Sequence, residues 1–134
     1  MKKLLLAATV VLAPIAVAAD PVKGVWQTEP DDGAYSHVKI ASCGSKLCGT
    51  IIRSFQRKED NSGWEQYESK NIGRKLLYDM VADGEDSYSG KAWWPSRDRE
   101  IRGSMTLNGK NRLRAGGCVL GGIVCIRQTW KRIK

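Results

Sequence analysis

The sequence predicts an all-β protein built as a single eight-stranded antiparallel up-and-down barrel, and three observations lead there. Apolar and polar residues alternate with a period of two over eight short segments. Clusters of Gly, Pro, Asn and Asp punctuate those segments. Eight such strands leave too few residues for two layers of helix, and closing a sheet on itself is the way to remove its edges.

In chain order, Lys2 and Lys3, the apolar run from Leu4 to Val17, and the small residues Ala16, Ala18 and Ala19 read as a secretory signal peptide over 1–19. Pro14 and the shortness of the run argue against a membrane anchor. The barrel domain is then 20–134, with a periplasmic or secreted location. Its strands are expected at 24–28, 35–43, 47–55, 74–81, 87–94, 100–107, 112–119 and 124–133. In the first, Gly24 lets the backbone bend while Trp26 covers one end of the barrel. The last strand supplies partners in Trp130 and Arg132, whose guanidinium can lie over the Trp26 ring. These four residues are the expected closure of the barrel, since first and last strands are neighbours in this topology.

The turns between strands include Pro30-Asp31-Asp32-Gly33, Asp83-Gly84-Glu85-Asp86, Pro95-Ser96-Arg97-Asp98 and Asn108-Gly109. The one long connection, 56–73, is expected to form a short helix or a lid over one barrel end. With charged residues placed outside, Ile101, Gly103, Met105 and Leu107 point inward, as do Leu113 and Ala115, and Ile126, Gln128, Trp130 and Arg132. Trp93 then faces outward as an exposed contact surface, and Trp94 joins Tyr88 and Ala92 inside.

Four cysteines in the exported portion suit an oxidising compartment. Cys43 with Cys48 and Cys118 with Cys125 each bracket a turn signal, so two hairpin disulfides are favoured among the three connectivities. Zinc is disfavoured because His37 is the single histidine, and no metal or other cofactor is expected. Two of the 22 Lys+Arg fall in the signal peptide, which leaves 20 against 14 Asp+Glu. Ten of these 20 lie in 97–134 beside only 2 acids, which favours anionic partners on one side of the molecule. Tryptophans interleaved with arginines there fit stacking on nucleic acid, but export speaks against it, and none is expected as a partner.

Gly24, Trp26 and Thr28, the block Ile40-x-x-Cys43-Gly44-x-x-Leu47-Cys48-Gly49-x-Ile51, then Gly73, Gly90, Pro95, Leu107 and the closing Gln128-Thr129-Trp130-x-Arg132 together resemble a family. It is that of the exported bacterial proteins called domain of unknown function 2147. The resemblance covers nearly the whole mature chain and implies a lipocalin-like architecture and no chemistry. It departs from the family pattern around Pro95, where Ala92-Trp93-Trp94 precedes and Arg97-Asp98-Arg99-Glu100 follows.

No nucleophile has a base beside it in the sequence pattern, and the carboxylates fall in turns, so no catalysis is expected. The expected function is binding of a small, partly apolar ligand, with an anionic head as one option, by a monomer. The candidate lining is Val38, Ile40, Ile51, Arg53, Tyr78, Trp94 and Met105. Counting back from Cys43 opposite Cys48 sets Ile40 against Ile51 and Val38 against Arg53, which directs Arg53 inward. A charge there must reach the rim, find a carboxylate or meet an anionic ligand, unless a shifted register or a bulge after Ile51 turns it away. The second reading, from another class, is a non-enzymatic interaction module. It would dock on an anionic envelope component or a protein through the basic face and the Trp93 loop.

Overall fold

The computed structural model describes residues 6–10 and 20–134; residues 1–5 and 11–19 of the expected signal peptide lie outside the described residues. Among the described residues there are nine strands: β1 (Gly24–Gln27), β2 (Ala34–Cys43), β3 (Lys46–Arg57), β4 (Trp64–Tyr67), β5 (Lys75–Gly84), β6 (Ser87–Trp94), β7 (Arg99–Leu107), β8 (Arg112–Val119) and β9 (Val124–Arg132). All pairings are antiparallel. They run β2-β1-β9-β8-β7-β6-β5-β3, and a further β2–β3 pairing closes the ring into an eight-stranded barrel.

The additional strand, β4, stands outside the ring. It pairs with Ser54–Arg57 of β3, beyond the stretch where β5 pairs with Leu47 to Thr50. The long connection therefore carries a short strand where a helix was one expectation, and its Tyr67, Ser69 and Asn71 reach one barrel end, as expected of a lid. Aromatic packing holds it on the wall: Tyr35 stacks on Phe55 at 4.8 Å, and Trp64 meets Tyr35 edge-on at 4.9 Å.

Two bulges correct the expected facing of side chains. The Gly44-Ser45 turn pairs Cys43 with Lys46, so Ile40 opposes Gly49 and Val38 opposes Ile51; the register then slips so that His37 opposes Arg53. Ile52 is the extra residue. It leaves Arg53 exposed on the outer wall and brings Ser54 inward in its place. On β5 the slip after Tyr78, with Asp79 at φ 53°, keeps both Leu77 and Met80 in the core. Tyr78 consequently faces outward opposite Lys91, and burial first, then Glu100, pushes its phenol up to about 12. Gly90 is what admits this bulge, since a Cβ there would sit 2.5 Å from the Asp79 carbonyl oxygen.

Both disulfides form as hairpin bridges, Cys43 with Cys48 and Cys118 with Cys125, the second pair being directly opposed partners on β8 and β9. Of the inward residues expected on β7 and β8, Ile101, Gly103, Met105, Leu107, Leu113 and Ala115 are all buried.

The barrel is packed at one end. Trp26, Val38, Ile40, Met80, Met105 and Leu113 are essentially inaccessible there, and each such side chain contributes about 1.5–3 kcal/mol by leaving water. The segment before β1 seals this end. Val22 is fully buried, the Trp26 indole N–H donates to the Val22 carbonyl at 2.9 Å, and the Tyr88 hydroxyl donates to Asp20.

The candidate ligand site is the open half of the barrel

Strand direction assigns the ends. The β2–β3, β5–β6 and β7–β8 turns lie at the packed end. The 28–33 loop, the 58–74 connection, the Pro95–Arg97 turn and the Leu120–Gly122 turn surround the other. At that open end lies a cavity of about 340 Å³, within the roughly 300–1,000 Å³ range of small-molecule sites. Its floor is apolar, formed by Ile51, Leu77, Ala92, Ile101, Ala115 and Trp130, and its mouth carries Tyr35, Tyr67, Ser69 and Asn71.

Trp130 divides the two halves. It is buried opposite Leu113 of the packed core, and it also lines the cavity. Its indole N–H donates to Gln128 Oε1 at 2.8 Å, which occupies the amide oxygen and leaves the amide NH₂ for other partners. Above this floor sits a polar band. Thr28 and Ser54 are the two buried polar residues among the described residues, and both line the cavity. Thr28 Oγ1 accepts the Ser36 backbone N–H at 3.0 Å. Ser54 is 3% exposed, and no hydrogen bond of its hydroxyl is seen among the described residues.

The seven residues expected to bind ligand separate into three groups. Ile51 and Trp94 line the cavity. Val38, Ile40 and Met105 are buried in the packed end and do not reach it. Arg53 and Tyr78 lie outside because of the two bulges, so the proposed interior anchor for an anionic head is absent. Trp93 is likewise corrected. It is 9% exposed, covered by the Arg74 guanidinium at 3.3 Å from the ring centroid, and its indole N–H donates to Asp98 Oδ1 at 2.9 Å. That hydrogen bond, followed by Arg74, holds the Asp98 carboxyl below its usual range.

At the packed end, Arg132 lies 4.3 Å over the Trp26 ring. Its guanidinium donates to the carbonyls of Lys110 at 2.7 Å, Lys23 at 3.0 Å and Lys134 at 3.3 Å, and also to that of Pro21. Gly24 makes room for this arrangement, since a Cβ there would fall 2.6 Å from Arg132 Nη1.

Sequence reasoning missed Ser54, Thr28 and the mouth residues Glu29, Asp31, Asp32, Tyr35 and Tyr67. Gln128 was legible as inward from alternation. The acids were visible but read as turn punctuation, and Ser54 carries no signal until the Ile52 bulge is known.

A closed antiparallel barrel packed at one end and hollow at the other defines the class: a lipocalin-like β-barrel. The solved structure titled "Protein HP1028 from the human pathogen Helicobacter pylori belongs to the lipocalin family" shares this fold. Its TM-score is 0.60 at 21% identity, over 84% of this chain and 82% of that one. The family model described as "Uncharacterized protein conserved in bacteria (DUF2147)" matches residues 24–132, and the chain belongs to that family. No curated protein matches the chain.

Proposed function

We propose that this protein is an exported, non-catalytic binding protein that holds a small, partly apolar molecule in the open half of its barrel. The observation that carries the reading is the cavity itself, with an apolar floor, a band of buried hydroxyls and an aromatic mouth. Buried polar groups are ordinarily paired, and a hydroxyl left facing a cavity supports an occupant that would pair with it. The two disulfides and the expected signal peptide support export to an oxidising compartment, the periplasm or beyond. The non-catalytic part of the reading draws on His37, the single histidine. It sits on the outer wall with Nε2 3.2 Å from Gln27 Oε1, and it is not among the residues lining the cavity. Native mass spectrometry of protein purified from its own periplasm tests the reading. Repeated recovery of the bare mass, together with no uptake of an added neutral hydrophobic dye, would end it.

A second reading rests on the outer face of β7 to β9. Arg112 stands directly opposite Lys131, a like-charged cross-strand pair that costs stability. Arg102, Arg114 and Arg127 are exposed on the same sheet, and none of the five forms a salt bridge among the described residues. Such a face fits docking on an anionic envelope surface, with no part for the covered Trp93. Sedimentation with vesicles containing phosphatidylglycerol, compared with phosphatidylcholine vesicles, tests it; equal recovery on both would rule it out.

A further inference from the structure

The chain carries 22 Lys+Arg against 14 Asp+Glu, yet the residues lining the cavity include Glu29, Asp31 and Asp32 and no Lys, Arg or His. On a basic protein this is a local reversal of sign at the entrance to the cavity. Arg97 lies 5.3 Å over the Trp94 ring but is not among the lining residues. Glu29 is held in place, because its Oε2 accepts the Thr129 backbone N–H at 2.8 Å. Its other oxygen retains acceptor capacity. Tyr67 and Trp94 line the same mouth, and aromatic faces attract cations as carboxylates do.

Resting on the binding reading above, we infer that the ligand is an organic cation, an amine or quaternary ammonium with an apolar body. Its charged head sits among Glu29, Asp31, Asp32 and the aromatic mouth. Its body passes the polar band to the floor formed by Ile51, Leu77, Ala92, Ile101 and Ala115. The acids do not stand alone in this argument. Ser54, almost fully buried and without a hydrogen-bond partner among the described residues, faces the same cavity and awaits a polar group on the ligand. An anionic ligand is disfavoured on the same grounds. It would bring its charge to three carboxylates with no cation lining the cavity to offset them.

A matched series tests this. The neutral dye N-phenyl-1-naphthylamine is bound to the full mature chain and displaced with octylammonium, octanol and octanoate at pH 7, all below their micellar concentrations. Octylammonium is expected to displace the dye at roughly five- to tenfold lower concentration than octanol, the advantage of one unit-charge contact in high dielectric. Octanoate should be the weakest of the three. The octylammonium advantage should shrink by at least half in 0.5 M salt through screening. It should fall in Asp31→Asn/Asp32→Asn and approach unity when Glu29→Gln is added, a change that keeps an acceptor for Thr129. Equal displacement by octylammonium and octanol, a preference for octanoate, or an ammonium preference untouched by both variants would overturn the inference while leaving the cavity a binding site. Failure of the dye and octanol to bind at all would overturn the binding reading, and this one with it.

Discussion

The two ends of the barrel solve opposite problems with the same strands. At the packed end large apolar side chains fill the interior, and one arginine gathers four backbone carbonyls from the segment before β1, the β7–β8 turn and the chain's last residue. At the open end the inward positions carry Ser54, Ala92, Ala115, Gly117 and Gln128, which are too small or too polar to meet across the barrel. The difference teaches that packing and open volume are separated along one axis. An eight-stranded barrel is just wide enough to be filled by side chains or to hold one small ligand, and this one is filled in one half and hollow in the other.

Substitutions that probe this contrast differ in size. Trp26→Ala should cost the most, about 3–5 kcal/mol, because it removes a fully buried indole from a site that cannot collapse. A near-neutral result in urea titration would move the seat of stability away from the packed end. Arg132→Met keeps the apolar stem but gives up the carbonyl contacts, and about 2–3 kcal/mol is expected from losing charge-assisted hydrogen bonds. The same denaturation experiment checks it; a loss larger than that of Trp26→Ala would reverse the order.

At the open end Ser54→Ala should change stability by less than about 1 kcal/mol, since its hydroxyl has no hydrogen-bond partner among the described residues. A thermal scan showing a loss comparable to Trp26→Ala would mean that this half is structural too. The smallest effect concerns His37 on the outer wall. Burial first, and then the Arg53 charge, lowers its pKa from an ordinary value near 6.5. A folded pKa below the unfolded one means the unfolded chain takes up the proton first. The native state should therefore lose a little stability as pH falls below 6.5, levelling off below the folded value. His37→Asn should flatten that part of the pH profile, and an unchanged slope would assign it to other groups.

Much of the fold was legible because alternation and turn chemistry are local. The eight barrel strands, the inward sets of β7, β8 and β9, both bridges and the placing of Arg132 over Trp26 all follow from period-two patterns and turn residues. The rest depended on non-local events. β4 is only four residues long, and its pairing rests on packing against Tyr35 and Phe55, which no pattern in 56–73 announces. The facing of Arg53 and Tyr78 turned on bulges that reverse alternation partway along a strand, so residues assigned by counting from a distant anchor came out on the wrong side. Trp93 was placed outward by the same counting, but only the fold brings Arg74 and Asp98 over it.

The extra residue in β3 acts like a shift of reading frame. A strand is two interleaved texts, one addressed to the interior and one to water, and Ile52 exchanges them for everything downstream. Deleting Ile52 removes the extra residue and not the facing it produced: Ile51, Arg53 and Ser54 then alternate regularly, with Arg53 still outside opposite His37 and Ser54 still inside opposite Ser36. The octylammonium and octanoate titrations are accordingly expected to read the same in the deletion variant as in the parent chain. A reversal toward octanoate in a variant that still folds would show that Arg53 had turned inward and that the bulge, not the pairing with β2, sets the frame. One added residue in a wall strand thus lets the segments on either side of it each keep their own faces, with the packed end left untouched.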